Sequence, residues 1–125
     1  MSARARPEDA IQADIVDYLR KVIPRAIVAH VKNQGNRGGK LGAIDGARFK
    51  RLGVVAGMPD LMVLVPPGKT FFFEVKDRTG YASLAQQFLW QKLREAGFEC
   101  ALVRSVDETR NALRAWGVKT RETNT

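Results

Sequence analysis

The chain has little of what most often binds soft metals. Its 125 residues include a single cysteine, Cys100, and a single histidine, His30. One cysteine excludes an intrachain disulfide and any cysteine-based zinc cluster. Cys100 lies in the apolar stretch "FECALV", where a buried thiol is the expectation. One histidine excludes paired-histidine zinc motifs and leaves little basis for other histidine-centred sites. No secretory leader pattern and no apolar run of membrane-spanning length is visible, so an intracellular, cytoplasmic protein without a membrane role is expected. Acid is also scarce: 13 Asp and Glu stand against 21 Lys and Arg, a net charge of +8. With a pI near 10.2, that balance favours a polyanionic partner, most often nucleic acid, over a merely soluble surface. An anionic membrane fits less well, because no basic amphipathic helix with a broad apolar face stands out.

What is present suffices for one domain with a modest core: 45% of residues are hydrophobic and an ordinary 27% are charged. Residues 1–6, "MSARAR", read as a basic flexible arm, 7–118 as the domain and 119–125 as a polar tail. Pro7 suits the first turn of a helix whose stripe is Ile11, Ile15, Leu19 and Val22, closed by Pro24. At 100° per residue Glu8 projects within that stripe. Read from spacing alone, it is an acid well placed near a helix N-terminus. "AIVAHVKN" reads as a strand, with Ile27, Ala29 and Val31 alternating against Val28 and His30. "NQGNRGGKLG" holds four glycines in ten residues and must be a loop, although it lacks the spacing of a nucleotide-binding phosphate loop. It carries Asn33, Arg37 and Lys40 either toward a phosphate or simply into solvent. "AIDGARFKRLG" reads as a short helix ended by Gly53.

Two strands follow, "DLMVLVP" and "TFFFEVK", joined by the turn Pro66-Pro67-Gly68-Lys69 as a hairpin. Ser83 and Gln86 form an S-x-x-Q capping box opening a helix whose apolar face is expected to be Leu84, Phe88, Leu89, Leu93 and Ala96, stopped by Gly97. After the strand "FECALV", Ser105 and Glu108 repeat the box as S-x-x-E for a last helix ending at Gly117. The order α, β, short α, β, β, α, β, α predicts an α/β fold with a mixed central sheet flanked by helices.

Alternation places Glu74 and Lys76 on one face of their strand, opposite a core face of Phe71, Phe73 and Val75. Two charged groups do not make ordinary core. Asp60 heads the neighbouring strand, and an in-register hairpin brings it to the side of Glu74. Two carboxylates that close repel unless a cation lies between them, and oxygen ligands favour a hard ion such as Mg²⁺ or Mn²⁺. Lys76 would add positive charge where charge builds on a phosphate. The plain alternative is an exposed hairpin with a surface Glu–Lys pair worth about 0–1 kcal/mol. E-x-K alone is a weak signal. P-D, then E-V-K, within a basic chain is a stronger one.

"GMPDLMVLV", "FFFEVKDRTGYAS" and "AQQFLWQKLREAGFECALVRSVDE" in that order resemble the VRR-NUC family of the PD-(D/E)xK nuclease superfamily, in its small stand-alone form. The likeness runs from "PEDAIQADIVDYL" through "KNQGNRGG" to the last helix, nearly the whole chain. It departs from the family at Ala82, where a leucine is common, and in lacking the V-R-R string; "ALVRSVD" carries only V-R. The resemblance implies that Asp60, Glu74 and the Val75 carbonyl bind the divalent metal, with Glu8 completing the shell directly or through water. It implies that Lys76 is the catalytic lysine and that Gln86 orients the site, a role compatible with its place in the capping box. Asn33, Arg37, Lys40 and Arg78 are the candidate DNA contacts. The expected activity is Mg²⁺- or Mn²⁺-dependent DNA endonuclease, hydrolysing phosphodiesters to 5′-phosphate and 3′-hydroxyl ends, on branched DNA such as Holliday junctions. Symmetric junction cutting needs two active sites, hence a homodimer. The alternative is a nucleic-acid-binding module with a vestigial site, which the full set Glu8, Asp60, Glu74 and Lys76 counts against. A restriction-type enzyme would want sequence-reading elements for which this short chain has little room; shape and phosphate readout fit better.

Overall fold

A computed structural model describes residues 6–31 and 46–122. Its elements are α1 (Glu8–Val22), β1 (Ile27–His30), β2 (Leu61–Val65), β3 (Lys69–Val75), α2 (Leu84–Glu95), β4 (Glu99–Val103) and α3 (Val106–Ala115). Residues 46–51 are also helical and stop at Gly53, whose φ of 95° lies in the left-handed region that favours glycine. The strands form one sheet in the order β1-β2-β3-β4. The first two pairings are antiparallel and β3–β4 is parallel. This is the α/β architecture, a mixed sheet flanked by helices, that the order of elements predicts.

The larger core lies between the sheet and α1 with α3. Ile15, Leu19 and Val22 of α1 and Leu113 of α3 close over Leu61, Val63, Phe71, Phe73, Val75 and Val103. Trp116 stacks on Phe71, with ring centroids 5.5 Å apart, and leans on Phe73 at 5.3 Å. The stripe read from α1 is the buried one, although Pro7 sits at the N-cap rather than inside the first turn.

The other face of the sheet is covered as well, which changes the reading of β3. Phe72 joins Trp90 of α2 and Cys100 of β4 in a second core, with Leu89 and Leu93 packed against it. β3 is thus a central strand buried on both sides, as a strand with helices on both faces must be. Burial pushes the Cys100 thiol up to about 11, the behaviour of a buried structural cysteine. Of the expected apolar face of α2, Leu89 and Leu93 pack on the second core, but Leu84, Phe88 and Ala96 do not. Leu84 and Phe88 are 83% and 66% exposed, and Ala96 is exposed as well. The face that meets the sheet is Gln86, Leu89, Trp90 and Leu93, an i, i+3, i+4, i+7 stripe.

The two capping boxes differ. Ser83 and Gln86 close theirs reciprocally: Gln86 N–H donates to Ser83 Oγ at 3.1 Å and Ser83 N–H to Gln86 Oε1 at 2.8 Å. At α3, Glu108 N–H donates to Ser105 Oγ, but the Glu108 carboxylate accepts from the Arg104 N–H one residue earlier. The chain after α3 returns to the domain. Arg121 N–H donates to the Val22 carbonyl, and Glu122 bonds the Tyr18 hydroxyl and the Arg110 guanidinium.

Candidate metal centre at the head of the hairpin

The hairpin register decides the site. Leu61 pairs with Phe73 and Val65 with Lys69, so Asp60, one step before β2, stands across from Glu74. Their groups interlock: Asp60 N–H donates to Glu74 Oε1 at 3.1 Å, and Val75 N–H donates to Asp60 Oδ2 at 2.9 Å. The N–H and C=O of a strand residue project to the same side, so the Val75 carbonyl also faces Asp60.

The G-x-P-D block has a physical role at each step. Gly57 has φ 88°, and a Cβ there would meet the Ala85 carbonyl oxygen of α2 at 2.8 Å, so only glycine lets α2 approach this closely. Its carbonyl accepts a 3.0 Å hydrogen bond from the buried Trp90 indole. Pro59 is fully buried, and the Asp60 carbonyl ties β2 to β1 by accepting from Val31 N–H. The block thus clamps the N-terminal turn of α2 beside Asp60.

That clamp positions Gln86. Its Oε1 is occupied by the cap, and its Nε2 donates to Glu74 Oε2 at 2.8 Å. Lys76 Nζ lies 3.1 Å from the same oxygen. Glu74 is only 2% exposed, so the exposed-hairpin alternative does not hold. Burial, then the negative charge of Asp60, push the Glu74 carboxyl above its ordinary range; Lys76 and Gln86 oppose the shift without cancelling it. Glu8, on the first turn of α1, is half-buried at the edge of the same cluster. Burial raises its carboxyl too, with Asp60 adding to the rise while Lys76 and the Asp77 N–H work against it.

The structure therefore brings together Glu8, Asp60, Glu74, Val75, Lys76 and Gln86. Among the described residues, no three His, Cys, Asp or Glu side chains converge as a ready-made metal cluster. The tight unit is the Asp60–Glu74 pair, with Glu8 outside it. Arg78 is exposed on the wall of a neighbouring cavity that also takes in Arg6, Ile11 and Arg104. Asn33, Arg37 and Lys40 lie outside the described residues.

Three residues at the site escaped the sequence reading. Trp90 fixes the Gly57 turn, and a tryptophan four residues after the capping glutamine was the available signal. Asp77 folds the chain after Lys76 into an Asx turn, accepting from Thr79 and Gly80 N–H at 2.9 and 2.8 Å. The Thr79 backbone and hydroxyl hold its carboxyl below the usual range, and the D-R-T-G string was the signal. Arg104 then bonds the carbonyls of Asp77 and Gly80, pinning this turn to the end of β4. Nothing local to "ALVRSVD" announces that contact.

Comparison with solved structures gives the same fold. A "VRR_NUC domain protein" superimposes with a TM-score of 0.63 at 21% identity, covering 89% of this chain and 88% of the other. A second, titled "VRR_NUC domain", gives 0.54 at 19% identity over 83% and 95%. No family model matches the sequence, and no curated protein matches it. The chain shares the α/β fold of these VRR_NUC domains. Among the described residues no helix is long and apolar enough to cross a membrane.

Proposed function

We propose that the chain is a divalent-metal-dependent DNA endonuclease that cuts branched DNA as a homodimer. The observation that carries this reading is the buried Glu74 carboxylate facing Asp60, with Asp60 N–H, Gln86 Nε2 and Lys76 Nζ as its partners. A protein does not gain stability by setting a buried acid beside a half-buried one; a cation removes the repulsion. The donor set is two carboxylates and one backbone carbonyl, all hard oxygen, and suits Mg²⁺ or Mn²⁺. Asp60, Glu74 and the Val75 carbonyl would hold the ion, and Glu8, set back from the pair, would reach it through water. A bound divalent ion supplies a lowered water pKa and neutralises phosphate charge.

The remaining roles belong to the side chains. Lys76 presents an ammonium beside Glu74, where it offsets charge developing on a phosphate. Gln86 fixes the Glu74 rotamer from a helix end that Gly57 and Trp90 hold in place. Arg78, with Asn33, Arg37 and Lys40 of the glycine-rich segment, would contact DNA phosphates, in keeping with the net charge of +8. Two sites acting on one junction account for the proposed dimer. The test is to incubate the protein with labelled four-way junction, flap, single-stranded and linear duplex DNA, with and without Mg²⁺ or Mn²⁺, and to map the cuts. Metal-dependent cutting that favours the branched substrates is expected. Binding without cutting of any of them would favour a nucleic-acid-binding module instead.

A further inference from the structure

At the end of the sheet away from the acidic pair, a cavity of about 500 Å³ opens between the end of α1, the β2–β3 turn and the chain after α3. It lies by Lys69, six residues along β3 from Val75, so about 20 Å from the candidate metal centre at ~3.3 Å per strand residue. Its size falls in the range of about 300–1,000 Å³ typical of ligand pockets. The floor is the Phe71–Trp116 stack, and Ile23, Val65, Pro66 and Val118 extend the apolar wall. Arg25, Lys69, Lys119 and Arg121 also line it, all four exposed, and among the described residues no acid does. None of these four side chains forms an ion pair or side-chain hydrogen bond with another described residue, whereas Arg6, Lys76 and Arg110 all pair with acids.

We infer that this cavity is a docking site for an acidic peptide segment of a protein partner that inserts a bulky apolar side chain. The charge selects the occupant. A second copy meeting the same face about a twofold axis would set four cations against four cations, so the patch is not self-complementary. Residues 1–5, with one arginine and no acid, do not complement it either, and residues 123–125 are Thr-Asn-Thr, with nothing apolar to insert. Duplex DNA would satisfy the cations, but its bases are stacked inside the helix and its thymine methyls sit within the groove, so it has no protruding apolar group to insert against the Phe71–Trp116 floor. An acidic peptide with an apolar anchor satisfies both the rim and the floor, the division of labour usual at interface hot spots. The site is separate from the candidate metal centre, so it would tether the protein to a partner while the other end of the sheet remains open.

The probe is a fluorescein-labelled hexapeptide, Asp-Asp-Asp-Asp-Leu-Phe, followed by fluorescence anisotropy against the full chain. The expected result is saturable binding at least about tenfold tighter than that of Asp-Asp-Asp-Asp-Ser-Ser. The double variant Lys69→Glu/Arg121→Glu, at two exposed positions, should weaken it by about tenfold or more while keeping the wild-type thermal melt. In amide NMR spectra the peptide should shift the indole N–H signal of Trp116 and leave that of Trp90 in place. Absence of binding overturns the inference. So does equal affinity for the two peptides, which is simple polyanion attraction, or indifference to the double variant. Displacement of the peptide by equimolar duplex DNA would mark the patch as a phosphate surface and overturn it too. None of these readouts depends on DNA cleavage, so failure here is distinct from failure of the nuclease reading.

Discussion

Replacing Gln86 by glutamate separates two roles that one side chain combines. A capping box accepts glutamate as readily as glutamine, and an acid in the first turn of a helix gains about 0.3–1 kcal/mol from the dipole. If Gln86 did no more than cap α2, Gln86→Glu would be neutral or stabilising. In the structure its Nε2 instead lies 2.8 Å from the Glu74 carboxylate. The variant removes that hydrogen bond and sets a second negative charge in its place. Two unit charges at that distance repel by about 6 kcal/mol at an effective dielectric of ~20. Proton uptake limits the cost: at pH 7, holding a proton on a carboxyl of ordinary value 4.5 takes roughly 3.4 kcal/mol, at about 1.4 per pH unit. With Lys76 alongside, the expected loss at pH 7 in EDTA is about 2–3 kcal/mol. It should shrink by up to ~1.4 kcal/mol for each pH unit below 7 as the pair takes up its proton. Urea denaturation of both proteins between pH 5 and 7.5 measures this directly. A variant as stable as wild type at pH 7, or one whose deficit ignores pH, would refute the coupling between helix cap and acidic pair.

Other consequences follow from the same geometry. Gly57→Ala places a Cβ against the α2 backbone at a residue with φ 88°; it should cost about 2–4 kcal/mol in urea melts, and a loss below 0.5 would mean that α2 is not clamped there. Trp90→Phe leaves the Gly57 carbonyl without its indole donor and should cost about 1–3 kcal/mol, with cleavage falling alongside stability because Gln86 rides on the same helix. Glu122 is held below its ordinary value of 4.5, first by the Tyr18 hydroxyl and then by Arg110. Its folded pKa is lowered, so its contribution is present above pH 4.5 and fades as pH falls through the folded value. The stability difference between wild type and Glu122→Gln should therefore be flat near neutrality and vanish in acid; a difference that persists at pH 2 would contradict the assignment. Burial and then Glu122 push Tyr18 up to about 12, so Glu122→Gln should lower the pH at which that phenol ionises, read by absorbance near 295 nm.

The part of the site that was legible in the sequence is the part governed by short-range rules. Period-two alternation and a Pro-Pro-Gly-Lys turn sufficed to set Asp60 across from Glu74, because hairpin register follows from turn position. The fold class followed from the order of elements. The burial of Glu74 was less legible, since it depends on which face of α2 meets the sheet. Hydrophobicity alone nominates Leu84 and Phe88, yet both point to solvent. The phase is set by Gln86 and Trp90, two residues whose polar atoms have partners waiting on the sheet side, Glu74 and the Gly57 carbonyl. Arg104 was illegible for a related reason: its acceptors are backbone carbonyls 24 and 27 residues earlier, and carbonyls carry no side-chain signature.

The most direct test of the central claim is the single-turnover cleavage rate of a labelled four-way junction, for wild type and Asp60→Asn, in EDTA and in 10 mM Mg²⁺ or Mn²⁺. Wild type should cleave only with divalent metal, and the variant should bind the junction as tightly but cut it at least about a hundredfold more slowly. Asp60→Asn cutting at the wild-type rate, or wild type cutting equally well in EDTA, would contradict that claim.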